Sequence, residues 1–311
     1  MRNSFINALE EFSNDNTILI TGDLGFGVLT NFEKKYPQRY INAGVAEQNL
    51  TGIAAGLALE GKKVITYSIA NFNTLRALEQ IRNDIAYHNL NVIIVSVGCG
   101  LAYGQLGISH HATEDIAIMR SIPNMSVFAP GDTMEAYLIT KLLLQKDFGP
   151  VYLRIGRAGE ATIHTQDKIR EFEIGKPMVV RHDNNNNIAL FSTGGMLKVA
   201  LDISNLLNEI NESSSVYSFH TLKPINSDMI HNLFKSYKYV FSFEEHTICG
   251  GFGSLLLESL IGKSQINLER FYAFALTSEF TSIVGDQNYL RDYYDISTDK
   301  IFSKIKSIIN V

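Results

Sequence analysis

The chain has 311 residues, 45% hydrophobic and 19% charged, so it is long enough for two domains with buried cores, and disorder or a disulfide scaffold is excluded. Lysine and arginine number 27 against 32 acidic residues, a net charge of −5 that offers no attraction to nucleic acid or to an anionic membrane surface. Cys99 and Cys249 lack metal-ligand spacing, and no stretch predicts a membrane span or signal peptide. We therefore expect two reduced, buried cysteines, no bound metal and a cytoplasmic protein.

In the first half of the chain, short runs rich in β-branched residues alternate with helical patterns. This rhythm predicts a mostly parallel sheet covered by helices on both faces. The predicted strands are 17–21, 39–41, 64–67, 92–97, 125–128 and 151–155. Helices are predicted over 47–59, closed by Gly61, and over 75–88.

The pattern then turns polar and resumes as a second α/β series. We predict a first domain over 1–165, a connector over 166–187 and a second domain over 188–311. Strands are predicted at 188–192, 216–219, 239–243 and 271–276, with helices at 197–207 and 253–260. The predicted fold class is thus α/β with two domains, each a mostly parallel sheet flanked by helices.

The most informative segment is residues 42–49, Asn-Ala-Gly-Val-Ala-Glu-Gln-Asn. A strand leads directly into a helix here, which places Glu47 in the first helical turn. That position lies at the carboxyl edge of the sheet, where α/β proteins bind their ligands. Taken alone, an acid in this turn is equally explained by the helix dipole.

This segment, with Gly52 and residues 54–56 behind it, resembles the pyrimidine-domain signature of the thiamine-diphosphate enzymes of the transketolase family. Other segments match in the same order: residues 21–25 (TGDLG), 72–82 (FNTLRALEQIR), 107–111 (GISHH), 243–246 (FEEH) and 250–253 (GGFG). The resemblance therefore extends essentially end to end. It implies thiamine diphosphate as the cofactor.

The resemblance implies that Glu47 holds the aminopyrimidine of that cofactor. A carboxyl group on ring N1′ favours the imino tautomer that removes the thiazolium C2 proton, and burial favours the protonated carboxyl this requires. Phe72 is implied as the ring that stacks on the pyrimidine, although a core position would also explain it. Asp23 and Gln48 are further candidate cofactor contacts, and Asp23 is equally suited to capping its own turn.

Substrate contacts are implied further along the chain. His110 matches the family's loop histidine, which bonds the donor sugar or its intermediate, and His111 follows it. Arg154 and Arg157 end the sixth strand, where they would grip a phosphate or carboxylate or serve a surface or interface role. Leu106 stands where ordinary transketolases carry an acid, so altered sugar contacts are expected.

Members of the family that act as one chain carry an upstream domain that holds Mg²⁺ and the diphosphate. Here the only early Gly-Asp pair is followed by Leu24. We therefore expect half of a split transketolase, with Mg²⁺ bound on an N-terminal-half partner subunit in an α₂β₂ assembly. The implied reaction moves a two-carbon ketol unit from a ketose to an aldose. Three alternatives stay open: the beta subunit of a 2-oxoacid dehydrogenase component, a deoxyxylulose-phosphate-synthase-like enzyme, and a non-catalytic scaffold.

Overall fold

The computed structural model describes residues 1–165, 171–185 and 187–310. The strands are β1 Thr17–Thr21, β2 Tyr40–Asn42, β3 Lys63–Ile69, β4 Val92–Val97, β5 Ser126–Phe128, β6 Val151–Ile155, β7 Met178–Arg181, β8 Ile188–Ser192, β9 Ser214–Ser218, β10 Thr221–Lys223, β11 Tyr239–Thr247 and β12 Phe271–Leu276. The helices are α1 Arg2–Phe12, α2 Thr30–Lys35, α3 Glu47–Leu59, α4 Ala70–Thr74, α5 Leu78–Gln80, α6 Asp115–Ser121, α7 Thr133–Gln145, α8 Leu197–Glu209, α9 Ser227–Ser236, α10 Phe252–Ser259, α11 Gln287–Tyr293 and α12 Thr298–Ile309. None of the helices described is long and apolar enough to cross a membrane.

The first sheet has the strand order β10-β5-β6-β4-β3-β1-β2, and every pair except β10 with β5 is parallel. From β1 the chain passes to β2 on one side, whereas β3 and β4 lie on the other side. The direction of winding thus reverses between β1 and β3. In open α/β sheets the crevice at the carboxyl ends of such a strand pair is the usual ligand site.

The second sheet has the order β12-β11-β8-β9-β7, with β7 antiparallel to β9 and the other pairs parallel. Its winding reverses between β8 and β11. Both sheets are mostly parallel and flanked by helices, so the predicted fold class is confirmed. Residues 166–170 and 186 of the predicted connector lie outside the described residues, while β7 falls within that connector and was not predicted.

Strand β10 joins the two halves of the molecule. It follows β9 of the second sheet along the chain, but it pairs with β5 at the edge of the first sheet, Thr221 opposite Phe128. The Lys223 ammonium donates to the carbonyl oxygens of Arg120 and Ile122 at 3.0 and 2.6 Å. One buried apolar cluster contains Val127 from the first sheet and Phe191 from the second. The two sheets therefore share a core.

A buried acidic cap begins α7 beside this junction. Asp132 accepts hydrogen bonds from the backbone amide of Glu135 and, through its other oxygen, from that of His164. The Glu135 carboxylate is fully buried and accepts from the Gly131 amide at 2.6 Å. Burial raises the pKa of Glu135 to about 7, because the low-dielectric interior disfavours its charged form.

Two local predictions were wrong. The segment predicted as one helix over 75–88 instead begins with a turn, followed by α5 and a π-helical turn, Ile81–Ala86. Cys99 is buried as expected, but Cys249 is exposed, because it follows the end of β11 in a surface turn.

Candidate active site

The predicted cofactor residues lie at the carboxyl edge of the first sheet. Asp23 follows β1, Glu47 begins α3 after β2, and Phe72 lies in α4 after β3. His110 is in the loop between β4 and α6. The fold thus brings loops that are distant in sequence to the edge where the winding reverses between β1 and β3.

Glu47 is the first residue of α3, and it is only 2% exposed. Its Oε2 accepts a hydrogen bond from Nη1 of Arg76 at 2.9 Å, and its Oε1 accepts none from any described residue. Glycine at position 22 allows a close approach here, since a Cβ there would lie 3.3 Å from the Gly44 carbonyl oxygen and 4.0 Å from Glu47 Oε1. Glu47 is therefore a buried carboxylate with one oxygen still available.

Arg76 contacts two of the predicted residues, Glu47 and Phe72, and Phe72 in turn contacts His110. Sequence reasoning missed Arg76. Its guanidinium carbon lies 4.3 Å from the centre of the Phe72 ring, while its Nη1 bonds Glu47. The Phe72 ring in turn meets the His110 ring edge-on, with centres 5.0 Å apart. The signal was present, because Arg76 follows Phe72 by four residues, the spacing of neighbours on one helix face.

The two loop histidines have different surroundings. His110 is part-buried, and its Nδ1 lies 2.9 Å from the Ser109 hydroxyl. Burial, then the neighbouring His111 and Arg76, lower the pKa of His110 below its ordinary value, so its ring is neutral at pH 7. His111 is buried, with Nδ1 bonded to the Thr281 hydroxyl and Nε2 3.3 Å from the Gly104 carbonyl oxygen.

Asp23 and Gln48 lie at the same edge as the buried Glu47 carboxylate, and both are exposed to solvent. Asp23 has a left-handed backbone, with φ of 56°. Asn42 holds this turn: its amide donates to the Asp23 carboxylate at 3.1 Å and its oxygen accepts from the Asp23 amide at 3.0 Å. Gln48 is exposed in the first turn of α3. Both side chains are accessible to a ligand at this edge.

Arg154 is held inside the structure. It is 5% exposed and donates through Nε to Asp115 at 2.7 Å and through Nη2 to the Glu245 carbonyl at 3.1 Å. Although burial lowers the pKa of Arg154, the adjacent Asp115 carboxylate raises it above its ordinary value. Arg154 therefore ties strand β6 of the first sheet to β11 of the second.

Arg157 is exposed, donates to the Ala102 carbonyl at 3.0 Å and covers the Tyr103 ring at 5.2 Å. Tyr103 also contacts the His110 ring, with centres 6.4 Å apart. Arg154 and Arg157 line a cavity of about 670 Å³ between the two sheets. Glu47, Phe72 and His110 do not line it.

Large apolar side chains are exposed around the Glu47 edge. Phe26 follows β1, Val45 precedes α3, and Leu106 and Ile108 belong to the His110 loop, with exposures of 78%, 72%, 55% and 46%. Scattered apolar residues are normal on a surface, but grouping around one polar site is a mark of an interaction surface.

Two family models match this chain, and both describe transketolase domains. Residues 1–159 match the family model described as transketolase, pyrimidine binding domain, and residues 176–301 match that of the transketolase C-terminal domain.

Two curated relatives have similar lengths. A putative transketolase C-terminal section of Methanocaldococcus jannaschii is 35% identical over 94% of this chain and 90% of its own. A subunit of an apulose-4-phosphate transketolase of Actinobacillus succinogenes is 35% identical over 87% of this chain and 85% of its own. Among solved structures, a split-gene transketolase described as an inactive beta4 tetramer is 31% identical, with a TM-score of 0.87 over 98% of this chain and 97% of its own.

Proposed function

Because this chain belongs to the transketolase family, we propose that it is the C-terminal-half subunit of a split transketolase. The assembled enzyme transfers a two-carbon ketol unit from a ketose to an aldose and depends on thiamine diphosphate. The observation that carries this proposal is the buried Glu47 carboxylate at the reversal between β1 and β3, adjoined by an aromatic face and a neutral histidine.

The residues at this edge fit the pyrimidine end of that cofactor. Arg76 is a flat group that donates to Glu47 and lies on the Phe72 ring, so it makes the two contacts that a flat heterocycle with ring donors would make. The free Oε1 of Glu47 and the space left by Gly22 add to this fit. Thiamine diphosphate, when bound, supplies the carbon nucleophile that carries the two-carbon unit.

In this proposal Glu47 binds the pyrimidine and holds a proton at its ring nitrogen, while Phe72 packs against the ring. Asp23 and Gln48 complete the cofactor contacts from the open side. His110, neutral at pH 7, moves protons on substrate oxygens. His111 bonds Thr281 of the second domain and thereby fixes the loop that carries His110.

The substrate's anionic group is assigned to the arginines. Arg157 is the more accessible candidate, since Arg154 has Asp115 as a buried partner and reaches a ligand only from the cavity side. Leu106 is an exposed apolar residue beside His110, which favours a sugar with fewer polar contacts at that point. We infer an acceptor other than the common pentose phosphates.

A partner chain is proposed to hold the diphosphate and Mg²⁺, in an α₂β₂ assembly. The relatives described as a C-terminal section and as a transketolase subunit have nearly the length of this chain, which supports a division of the enzyme between two chains. The exposed Phe26, Val45, Leu106 and Ile108 offer a surface for that partner. Among the described residues no group of three or more His, Cys, Asp or Glu could hold a metal ion.

Calorimetric titration of thiamine diphosphate with Mg²⁺ tests the proposal. We expect binding only when the N-terminal-half chain, for example the product of an adjacent reading frame, is present. In the assembled enzyme Glu47→Gln should lower kcat for ketol transfer by about 10²-fold or more, with the circular dichroism of the chain unchanged. Full activity of this variant would instead support a non-catalytic scaffold, and strict dependence on pyruvate would support a deoxyxylulose-phosphate-synthase-like enzyme.

A further inference from the structure

The loop that carries His110 is closed at its base. Gly100 and Ala112 form an isolated antiparallel bridge, in which each backbone amide donates to the other residue's carbonyl oxygen, at 2.9 and 3.0 Å. Nη2 of Arg154 donates to the same Ala112 carbonyl at 3.2 Å. Residues 100–112, the His110 loop, therefore form a unit whose position depends on what its two arms contact.

The first arm of the loop is anchored in the second domain by Glu245 of β11. This side chain is only 4% exposed, and its Oε1 accepts from the Leu101 amide at 2.5 Å. The Leu101 side chain is fully buried in a core cluster of the second domain that contains Leu190 and Phe243. Gly100 has a φ of 65°, and a Cβ there would lie 2.6 Å from Glu245 Oε1. Glycine is thus needed for the carboxylate to come this close.

Helix α11 holds the Glu245 carboxylate in place. Gln287 donates to its two oxygens at 2.8 and 3.0 Å, and Nε of Arg291 donates to Oε2 at 2.5 Å. These partners allow the carboxylate to stay charged although it is buried. Leu290 of the same helix packs so closely on Gly104 that a Cβ at Gly104 would overlap it. Strand β11 and helix α11 together form a socket for the first arm.

The second arm of the loop is also anchored in the second domain. His111 is buried, and its Nδ1 bonds the hydroxyl of Thr281, which is 6% exposed and follows β12. A Cβ at Gly107 would lie 3.3 Å from Cγ1 of Val284, in the same segment as Thr281. The second domain therefore contacts the loop on both sides of His110.

The predicted cofactor contacts are positioned by the first domain. Glu47 bonds Arg76 of the same domain. Asn73 ties the helix of Phe72 to the first sheet, because it is buried and donates to the Val95 carbonyl at 3.1 Å. The contacts that place the cofactor and those that place His110 thus come from different parts of the chain.

We propose that Glu245 is a positioning residue for ketol transfer: it fixes the His110 loop to the second domain and so keeps the His110 ring beside the Phe72 ring. The proposal rests on the proposed function, which gives His110 its role at the substrate oxygens. Thr281 supports the loop from the other arm. A displacement of about 1 Å in a reacting group can cost about 10²-fold in rate, so loss of this anchor acts on the rate through His110.

Amide hydrogen exchange of the full chain tests the anchor without cofactor or partner. Glu245→Ala should free the Leu101 amide and speed exchange in peptides covering 101–111 by about tenfold or more. Glu245→Gln keeps an oxygen for that amide and should restore slow exchange. Thr281→Val removes the hydroxyl at nearly constant shape and should speed exchange in the same peptides. This second variant keeps the test decisive if Glu245→Ala does not fold.

Glu244→Ala is the matched control. Glu244 precedes Glu245 in β11, so its side chain points to the opposite face of the sheet. It is also fully buried, but it accepts from the amides of Phe252 and Gly253 in α10, at 2.6 and 2.8 Å. Glu244→Ala should lower the unfolding temperature and leave exchange over 101–111 within about twofold of the unmodified chain.

In the assembled enzyme, Glu245→Ala and Thr281→Val should each lower kcat by about tenfold or more, with the Kd of thiamine diphosphate within about twofold. Glu245→Gln, Thr281→Ser and Glu244→Ala should keep kcat within about threefold.

The proposal is wrong if exchange over 101–111 is unchanged in both Glu245→Ala and Thr281→Val, or if Glu244→Ala lowers kcat as much as Glu245→Ala does. Loss of cofactor affinity equal to the loss of kcat would also overturn it, because that result indicates a general structural role. Absence of ketol transfer by the unmodified pair would refute the proposed function instead, while the exchange data still decide whether Glu245 anchors the loop.

Discussion

Replacing Arg76 with methionine keeps the apolar stem of the side chain and removes the guanidinium that bonds Glu47. At the 2.9 Å separation of Nη1 and Oε2, the Coulomb energy is about 1.4 kcal/mol in water and about 5.7 kcal/mol at an effective dielectric constant of 20. The Arg76 side chain is 48% exposed whereas Glu47 is 2% exposed, so solvent screens much of this attraction. We take the net stabilisation from the Arg76–Glu47 ion pair as about 1–2 kcal/mol.

Arg76 bonds Glu47 and lies on the Phe72 ring, which is the place proposed for the cofactor ring, so Arg76 competes with the cofactor. Arg76→Met should therefore tighten thiamine diphosphate binding to the assembled enzyme by about 5- to 30-fold. Without cofactor the same variant should unfold at a lower temperature, because Glu47 is left buried without a cation. In the assembled pair, adding cofactor should remove that difference.

Isothermal titration of the assembled pair measures the first effect, and thermal unfolding of the free chain measures the second. Arg82→Met is the matched control, since Arg82 is exposed, lies six residues along the same segment and bonds the Asn83 side chain. Weaker cofactor binding by Arg76→Met would mean that Arg76 helps to hold the cofactor and does not compete with it. Equal binding by both variants would refute the competition as well.

Phe72→Ala should weaken cofactor binding by about two- to tenfold through loss of ring stacking; calorimetry showing no change would place Phe72 in the core only. Because the pKa of His110 is lowered, kcat/KM should fall only as the pH drops below 6.5. His110→Asn should lower kcat/KM by about 10²-fold and abolish this fall at acidic pH. An unchanged pH profile would exclude His110 as the group that moves protons. Glu135 has a pKa of about 7 when folded and 4.5 when unfolded, so its neutral form contributes stability that is complete below pH 4.5 and lost as the pH rises through 7. Glu135→Gln should therefore reduce the loss of thermal stability between about pH 4.5 and 7.5, by up to about 3 kcal/mol, and an unchanged pH profile would contradict this.

Much of the fold follows from local patterns. The periodicity of 47–59 predicts a helix with Glu47 in its first turn, and α3 spans Glu47–Leu59, because apolar periodicity and the strand-to-helix step are read directly from neighbouring residues. The same reasoning fails for the segment after β3, since its π-helical turn, Ile81–Ala86, depends on packing that periodicity does not encode.

What the sequence did not reveal depends on contacts between distant segments. Strand β10 has three residues and pairs with β5, almost a hundred positions away, so no local pattern identifies it. Arg76 lies within a segment that resembles the family, yet its pairing with Glu47 requires the loops after β2 and β3 to meet. The hydrogen bond from Arg154 in β6 to the Glu245 carbonyl in β11 likewise requires both sheets to be in place.

Strand β10, at the edge of the first sheet, also determines where the polypeptide can be cut or extended without loss of the fold. A chain ending after the first domain would leave β5 with unpaired backbone groups along one side, a template for aggregation. It would also uncover Val127 and its neighbours in the shared cluster. The two sheets are therefore expected to unfold as one cooperative unit. A fusion or a tag inserted between the sheets is therefore expected to disrupt this unit, even though the family models divide the chain there.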